Sequence, residues 1–143
     1  MKKVLSMLLL LSIMVFALSA CGMGKPKIED YEWQMRTVMH TEDGQIIYDA
    51  VNEGNITYPE ARIIEMILVA NDGRITITDV TNGKTYEGTY AASGKNPGGT
   101  DYHITIEGKS GYATVAMTTY ADETKEPTMP ITLDGYSMYF YAR

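Results

Sequence analysis

Alternating apolar and polar residues recur in short stretches along most of the chain after residue 30. The clearest stretch is 31–39, in which the odd-numbered residues, Trp33 among them, would share one face. Because side chains alternate across a β-strand, this pattern predicts a half-buried strand that carries the only tryptophan.

The same pattern predicts a series of further short strands. They fall at 45–51, 61–70, 74–80, 84–92, 102–107, 112–120, 129–133 and 136–142. The apolar stretch 61–70 is compatible with a helical turn or a central strand, and its length and β-branched residues favour the strand. Pro130 indicates that its strand lies at an edge, or that the strand begins there.

Tight turns separate these strands. Asp72-Gly73, Asn82-Gly83 and Asp134-Gly135 tolerate the positive φ angles of short hairpin loops, and residues 108–111 also read as a turn. Open sheets with many strands expose unpaired edges, so closure into a barrel or packing as a sandwich is expected. Short connections favour an up-and-down order. The sequence therefore predicts an all-β fold, a single antiparallel up-and-down β-barrel of eight or nine short strands.

The N-terminal residues differ from the rest. Lys2 and Lys3 precede an apolar run over residues 4–18, whose fifteen residues would reach about 22 Å as a helix, short of the ~30 Å hydrocarbon core. A signal-peptide core fits this length better than a spanning helix.

Leu18-Ser19-Ala20-Cys21 follows that run and resembles the lipobox of bacterial lipoproteins. The resemblance implies cleavage before Cys21, a diacylglycerol on its sulfur, and a protein anchored in the cell membrane and facing outside the cytoplasm. An ordinary signal peptide with a chance cysteine is the alternative. The expected organisation is a signal peptide over 1–20, a lipidated flexible tether over 21–30 and a β-barrel domain over 31–143.

Charge and cysteine content narrow the function classes. The formal charge is −6, and the loss of Lys2 and Lys3 on cleavage would leave −8. Such a chain is repelled by the phosphates of nucleic acid, so nucleic acid is not an expected partner. The lipid bilayer is an expected partner only through the anchor. With Cys21 as the sole cysteine, the fold must rest on its core without a disulfide.

The sequence contains no pattern typical of catalysis. Gly108-Lys109-Ser110 would need a glycine five residues before its second glycine to match a phosphate-binding loop, and His103 stands there. Neither His40 nor His103 belongs to a cluster with metal-ligand spacing. We therefore expect no catalytic residue, no metal and no cofactor, and a non-enzymatic function.

Eleven tyrosines are the unusual feature of the composition. Tyrosine combines apolar area with a hydroxyl that needs a partner, which suits cavities and interfaces. It is also a good strand former, which would explain its abundance without any binding role. Under the binding hypothesis, the candidate ligand-binding residues are Tyr86, Tyr90, Tyr102 and Tyr136.

Tyr31-Glu32-Trp33 in the first strand, followed by a β-meander that ends in an aromatic strand, resembles the lipocalin-like (calycin) group. That group often has Gly-x-Trp at this place, so Trp33 matches and the glycine does not. The resemblance implies a structural role for Trp33, with Arg143 stacked on its indole, and a small apolar or amphipathic ligand inside the barrel. Small lipidated lysozyme inhibitors are also similar, which implies the alternative of a protein-interaction or inhibitor module that binds an envelope protein through a tyrosine-rich surface.

Overall fold

The computed structural model describes residues 24–50 and 61–143. Cys21, the apolar N-terminal run and the end of the 45–51 stretch lie outside the described residues. One 3₁₀ turn, Ile28–Asp30, precedes the strands. The described residues form nine strands: β1 (Trp33–His40), β2 (Ile46–Asp49), β3 (Met66–Asn71), β4 (Arg74–Asp79), β5 (Lys84–Asn96), β6 (Gly99–Ile106), β7 (Lys109–Thr119), β8 (Lys125–Leu133) and β9 (Tyr136–Ala142).

Eight of these strands close into an antiparallel barrel. From β3 to β9 each strand pairs with the next one in sequence, and β9 then pairs with β1. The N-terminal half of β1 completes the circle by pairing with β3, where Trp33 lies opposite Leu68. The C-terminal half of β1 pairs instead with β2, the ninth strand. The prediction of an all-β, up-and-down barrel is confirmed.

Three of the hairpins have two-residue turns in which both central residues adopt positive φ. They are Asp72-Gly73, Glu107-Gly108 and Asp134-Gly135, with φ between 48° and 82°. This geometry matches the right-handed twist of the flanking strands. The Glu107-Gly108 turn lies earlier than the predicted turn at 108–111, so Lys109 to Gly111 belong to β7.

The turn before β5 is longer than its Asn-Gly pair predicts. Gly83 has a φ of 66°, and its N–H donates to the carbonyl oxygen of Asp79 at 2.9 Å. The carboxylate of Asp79 accepts hydrogen bonds from the backbone and side chain of Asn82. A side-chain cap therefore replaces the expected two-residue turn.

The alternation of β1 changes phase in its middle. The register against β9 shifts between Met35 and Thr37, and beyond the shift Val38 is buried. The prediction that Thr37 and Met39 share the face of Trp33 is therefore wrong, because a β-bulge adds one residue to the strand at that point.

Pro130 lies in an internal strand rather than at an edge or a strand start. β8 begins at Lys125 and is flanked by β7 and β9. The β7–β8 pairing is interrupted between Ile131 and Thr128, so the missing N–H of Pro130 falls in a gap of the ladder.

Candidate functional site

The two ends of the barrel are built differently. The closed end contains the start of β1 and the turns after β3, β5 and β7. The open end contains the end of β1 and the turns after β4, β6 and β8. This assignment follows from the antiparallel order of the strands.

The closed end is filled by side chains and covered by the chain before β1. The indole N–H of Trp33 donates to the carbonyl oxygen of Ile28 at 2.8 Å, and the backbone N–H of Ile28 donates to the hydroxyl of Tyr102 at 3.3 Å. Trp33 and Ile28 are completely buried. Residues 28–30, expected within a flexible tether, therefore pack as a plug against the barrel.

The open end contains a cavity of about 390 Å³. Its lining is mainly apolar, with three tyrosines and a short charged rim. The lining residues are Val38, Ile47, Tyr48, Met66, Tyr86, Ile106, Glu107, Lys109, Leu133, Asp134, Tyr136 and Met138.

Two irregular features of the first strands build one wall of this cavity. The bulge in β1 turns Val38 inward, and β2 adds Ile47 and Tyr48. β2 is held on its far side by Arg62, whose N–H donates to the carbonyl oxygen of Ile47 at 2.9 Å. Arg62 also forms an isolated parallel bridge with Tyr48.

The charged rim comes from the two turns after β6 and β8. The ammonium of Lys109 forms an ion pair with the carboxylate of Asp134, and this contact raises the pKa of Lys109. The carboxylate of Glu107 accepts a hydrogen bond from the backbone N–H of Glu87 at 2.9 Å. The rim therefore links neighbouring hairpins on one side of the cavity.

The four tyrosines predicted to bind a ligand fall into two pairs. Tyr86 and Tyr136 line the cavity, and the ring of Tyr136 packs on His40 with centroids 4.9 Å apart. Tyr90 and Tyr102 lie at the closed end, where their rings meet edge to face at 5.8 Å.

Tyr90 and Tyr102 belong to the interior of the closed end. Both are buried. Burial raises the pKa of each hydroxyl, and the nearby Glu29 carboxylate adds to the rise. Both are core residues, and Tyr102 also holds the plug through its hydrogen bond with Ile28.

Tyr48 is a cavity residue that the alternation of the sequence does not predict. It lies in a strand of four residues whose first three are all half-buried, so no alternation marks its inward face. The only sequence signal is its place within the predicted strand 45–51.

Arg143 lies outside the barrel rather than on the indole. Its guanidinium donates to the carboxylate of Glu32 at 3.0 Å, and its backbone N–H donates to the carbonyl of Glu32. This differs from the expected stack because Trp33 points inward and the neighbouring position Glu32 points outward. A cation–π contact does occur nearby, with Arg36 lying 4.2 Å from the ring centroid of Tyr141.

Within residues 24–50 and 61–143, no group of three or more metal-ligating side chains comes together. His103, like His40, packs against a tyrosine ring, that of Tyr112, at 4.9 Å.

In the same part of the chain, no helix has the length and apolar character needed to cross a membrane.

Comparison with known proteins shows no family for this chain. No protein-family model matches the chain, and neither a curated protein nor a solved structure matches it.

Proposed function

We propose that this protein binds a small apolar or amphipathic molecule in the open-end cavity and that it acts without catalysing a reaction. The observation that carries the proposal is the contrast between the two ends of one barrel. The closed end is filled around Trp33, whereas the open end leaves about 390 Å³ among apolar side chains.

The size and lining of the cavity support this use. Small-molecule sites in proteins typically measure ~300–1,000 Å³, with apolar walls and a few polar groups that orient the ligand. Here Val38, Met66 and Met138 represent the apolar wall, and Tyr86 and Tyr136 add hydroxyls. An amphipathic molecule fits such a lining better than a fully polar one, since each buried methylene contributes ~0.8 kcal/mol.

A second candidate function uses the outside of the barrel. Tyr112 is 62% exposed and Tyr139 is 37% exposed, on strands β7 and β9. Exposed aromatic side chains are typical of protein interfaces. An envelope protein, bound in the manner of lysozyme-inhibitor lipoproteins, is the partner of this alternative.

Calorimetric titration of the purified protein with decyl maltoside, below its micelle concentration, tests the first proposal. Met138→Trp places a large ring in the cavity and should abolish binding. Tyr112→Trp enlarges a side chain on the outer surface and should leave binding unchanged. Equal binding by the unmodified protein and Met138→Trp contradicts the proposed cavity function, as does a failure of neutral and charged decyl amphiphiles alike to bind the unmodified protein.

We also propose that a lipid anchor at Cys21 holds the protein in the cell membrane, facing outside the cytoplasm. The support is the sequence Leu18-Ser19-Ala20-Cys21. Gly24 is three residues later, a span of at most about 11 Å, and the chain from there leads into the closed end. The anchor would then place the closed end towards the bilayer and the cavity away from it.

Incorporation of a tagged fatty acid in growing cells tests the anchor. Cys21→Ser should lose the label, because the thioether needs the sulfur. Cys21 is the only cysteine, so labelling that persists in the variant contradicts the lipoprotein proposal.

A further inference from the structure

We infer that the molecule taken up by the open-end cavity is a single-chain amphiphile with a cationic head group, which lies at the rim formed by Glu107 and Asp134. This inference rests on the proposed function and specifies its ligand. The apolar tail would occupy the space between Val38, Met66 and Met138.

The charges at the rim favour a cation. Apart from the tyrosines, the ionisable side chains that line the cavity within residues 24–50 and 61–143 are Glu107, Lys109 and Asp134, with a net charge of −1. Lys109 is already paired with Asp134. An anionic head group would have to displace that carboxylate, whereas a cationic one adds to the pair without breaking it.

Because Lys109 and Asp134 neutralise each other, the remaining negative charge of the rim is that of Glu107. Its carboxylate accepts a hydrogen bond from the backbone N–H of Glu87 at 2.9 Å. A backbone N–H is a neutral donor, so this contact orients the carboxylate without cancelling its charge. Arg62 borders Tyr48 on an adjoining groove and does not line the cavity.

The tyrosines add a second attraction for a cation. Tyr48, Tyr86 and Tyr136 line the same cavity, and each aromatic ring presents a negative face. Ammonium groups are attracted to such faces within ~6 Å, and quaternary ammonium ligands are often held between several rings. The ring of Tyr136 also packs on His40.

The volume of the cavity suits an amphiphile with one chain. At ~30 Å³ for each water-sized group, 390 Å³ holds about 13 such groups. A decyl chain with a small head group is of this size. A lipid with two long acyl chains exceeds it.

Three decyl amphiphiles that differ in charge test the inference by calorimetric titration: decyltrimethylammonium, decyl sulfate and decyl maltoside. All are used below their micelle concentrations, and circular dichroism verifies that the protein stays folded. Decyltrimethylammonium should bind most tightly, and rising salt should weaken its binding because the rim is exposed to solvent.

Two variants in equivalent turns give a matched comparison. Asp134→Asn removes a rim charge, and Asp72→Asn removes the same charge from the turn after β3 at the closed end. Both positions have positive φ and precede a glycine, and asparagine tolerates this conformation. Asp134→Asn should weaken decyltrimethylammonium binding about twofold to fivefold, as for a partly exposed charge contact. Asp72→Asn should leave it unchanged.

The outcomes separate the two proposals. Binding of decyl maltoside or decyl sulfate as tight as that of the cation overturns the inference and leaves the cavity function standing. Decyltrimethylammonium binding that is unchanged in Asp134→Asn, or that is weakened equally in Asp72→Asn, also overturns it. If none of the three binds, both proposals fail.

Discussion

At the scale of single residues, Trp33 joins three parts of the closed end. Its ring is buried against the core, its N–H reaches Ile28, and Ile28 in turn reaches Tyr102 on β6. Removal of the donor would leave a buried carbonyl without its partner, which costs more than the net value of a hydrogen bond. Trp33 therefore fixes the plug as well as filling space.

Trp33→Phe should lower the free energy of unfolding by about 1–3 kcal/mol, because it keeps an aromatic ring and removes the N–H. Arg143→Ala should cost about 0–1 kcal/mol, since it removes only an exposed ion pair with Glu32. Because the two side chains lie on opposite faces of the sheet, the losses should add to within ~0.5 kcal/mol. Urea denaturation followed by circular dichroism measures the two single variants and the double variant. A coupling clearly larger than this would place Arg143 on the indole after all.

The sequence predicts the face on which a tyrosine lies, but not its position along the barrel. Alternation correctly puts Tyr86 and Tyr90 on the same face of β5. Alternation does not give the position of a residue along the barrel axis. Four residues of strand separate the two rings by about 13 Å. That distance places Tyr86 at the cavity and Tyr90 among the core residues of the closed end. The position along the barrel axis depends on pairing register, which no local pattern encodes.

At the scale of strands, three glycines allow neighbouring backbones to approach closely. An ideal Cβ built on Gly88, Gly99 or Gly111 would lie 2.0–2.2 Å from a carbonyl oxygen of the adjacent strand. Glycines inside strands often mark such approaches. The sequence shows the glycines, but the carbonyl that each one meets follows only from the closed barrel.

Gly88→Ala should destabilise the protein more than Gly83→Ala. At Gly88 the new methyl group meets the carbonyl of Thr105, so two strands must separate, at a cost of about 3 kcal/mol or more. At Gly83 nothing lies within 4 Å of the new Cβ, and only the positive φ is strained, at about 1–2 kcal/mol. Thermal and urea denaturation of the two variants compare the losses. The reverse order would mean that β5 and β6 are paired in another register.

The bulge in β1 and the internal position of Pro130 could not be predicted from the sequence, and each has a physical reason. A β-bulge inserts one residue without any compositional signal, so the inward turn of Val38 is visible only from the register of β1 against β9. The internal position of Pro130 could not be predicted, because an interruption in the β7–β8 pairing leaves room for a residue without a backbone N–H. Such room is usually found only at the edge of a sheet. The turns at Asp72-Gly73 and Asp134-Gly135 were predictable, since Asp-Gly pairs carry their backbone preference locally.

At the scale of the whole molecule, one closed barrel has a filled half and a hollow half. Closure itself could be expected, because a meander of this length would otherwise leave two strand edges exposed. The division into halves could not be expected from the sequence. It depends on which inward residues the plug covers and on the extra strand β2, which extends the wall at the open end.

Substitutions in the filled half should therefore affect mainly the stability, and substitutions in the hollow half should affect mainly the binding. Leu68→Ala, next to Trp33 in the filled half, should cost about 3–5 kcal/mol, because a completely buried side chain leaves a new void. Met138→Ala should cost about 1 kcal/mol, well below the usual range for a buried methionine, since the half-buried Met138 already borders a cavity.

Urea denaturation measures the stability, and titration with decyltrimethylammonium under folding conditions measures the binding. Met138→Ala should change the affinity and Leu68→Ala should preserve it in the folded molecules. If Leu68→Ala instead shifts the affinity and Met138→Ala lowers the stability by several kcal/mol, the two halves are not independent and the ligand does not occupy the open end alone.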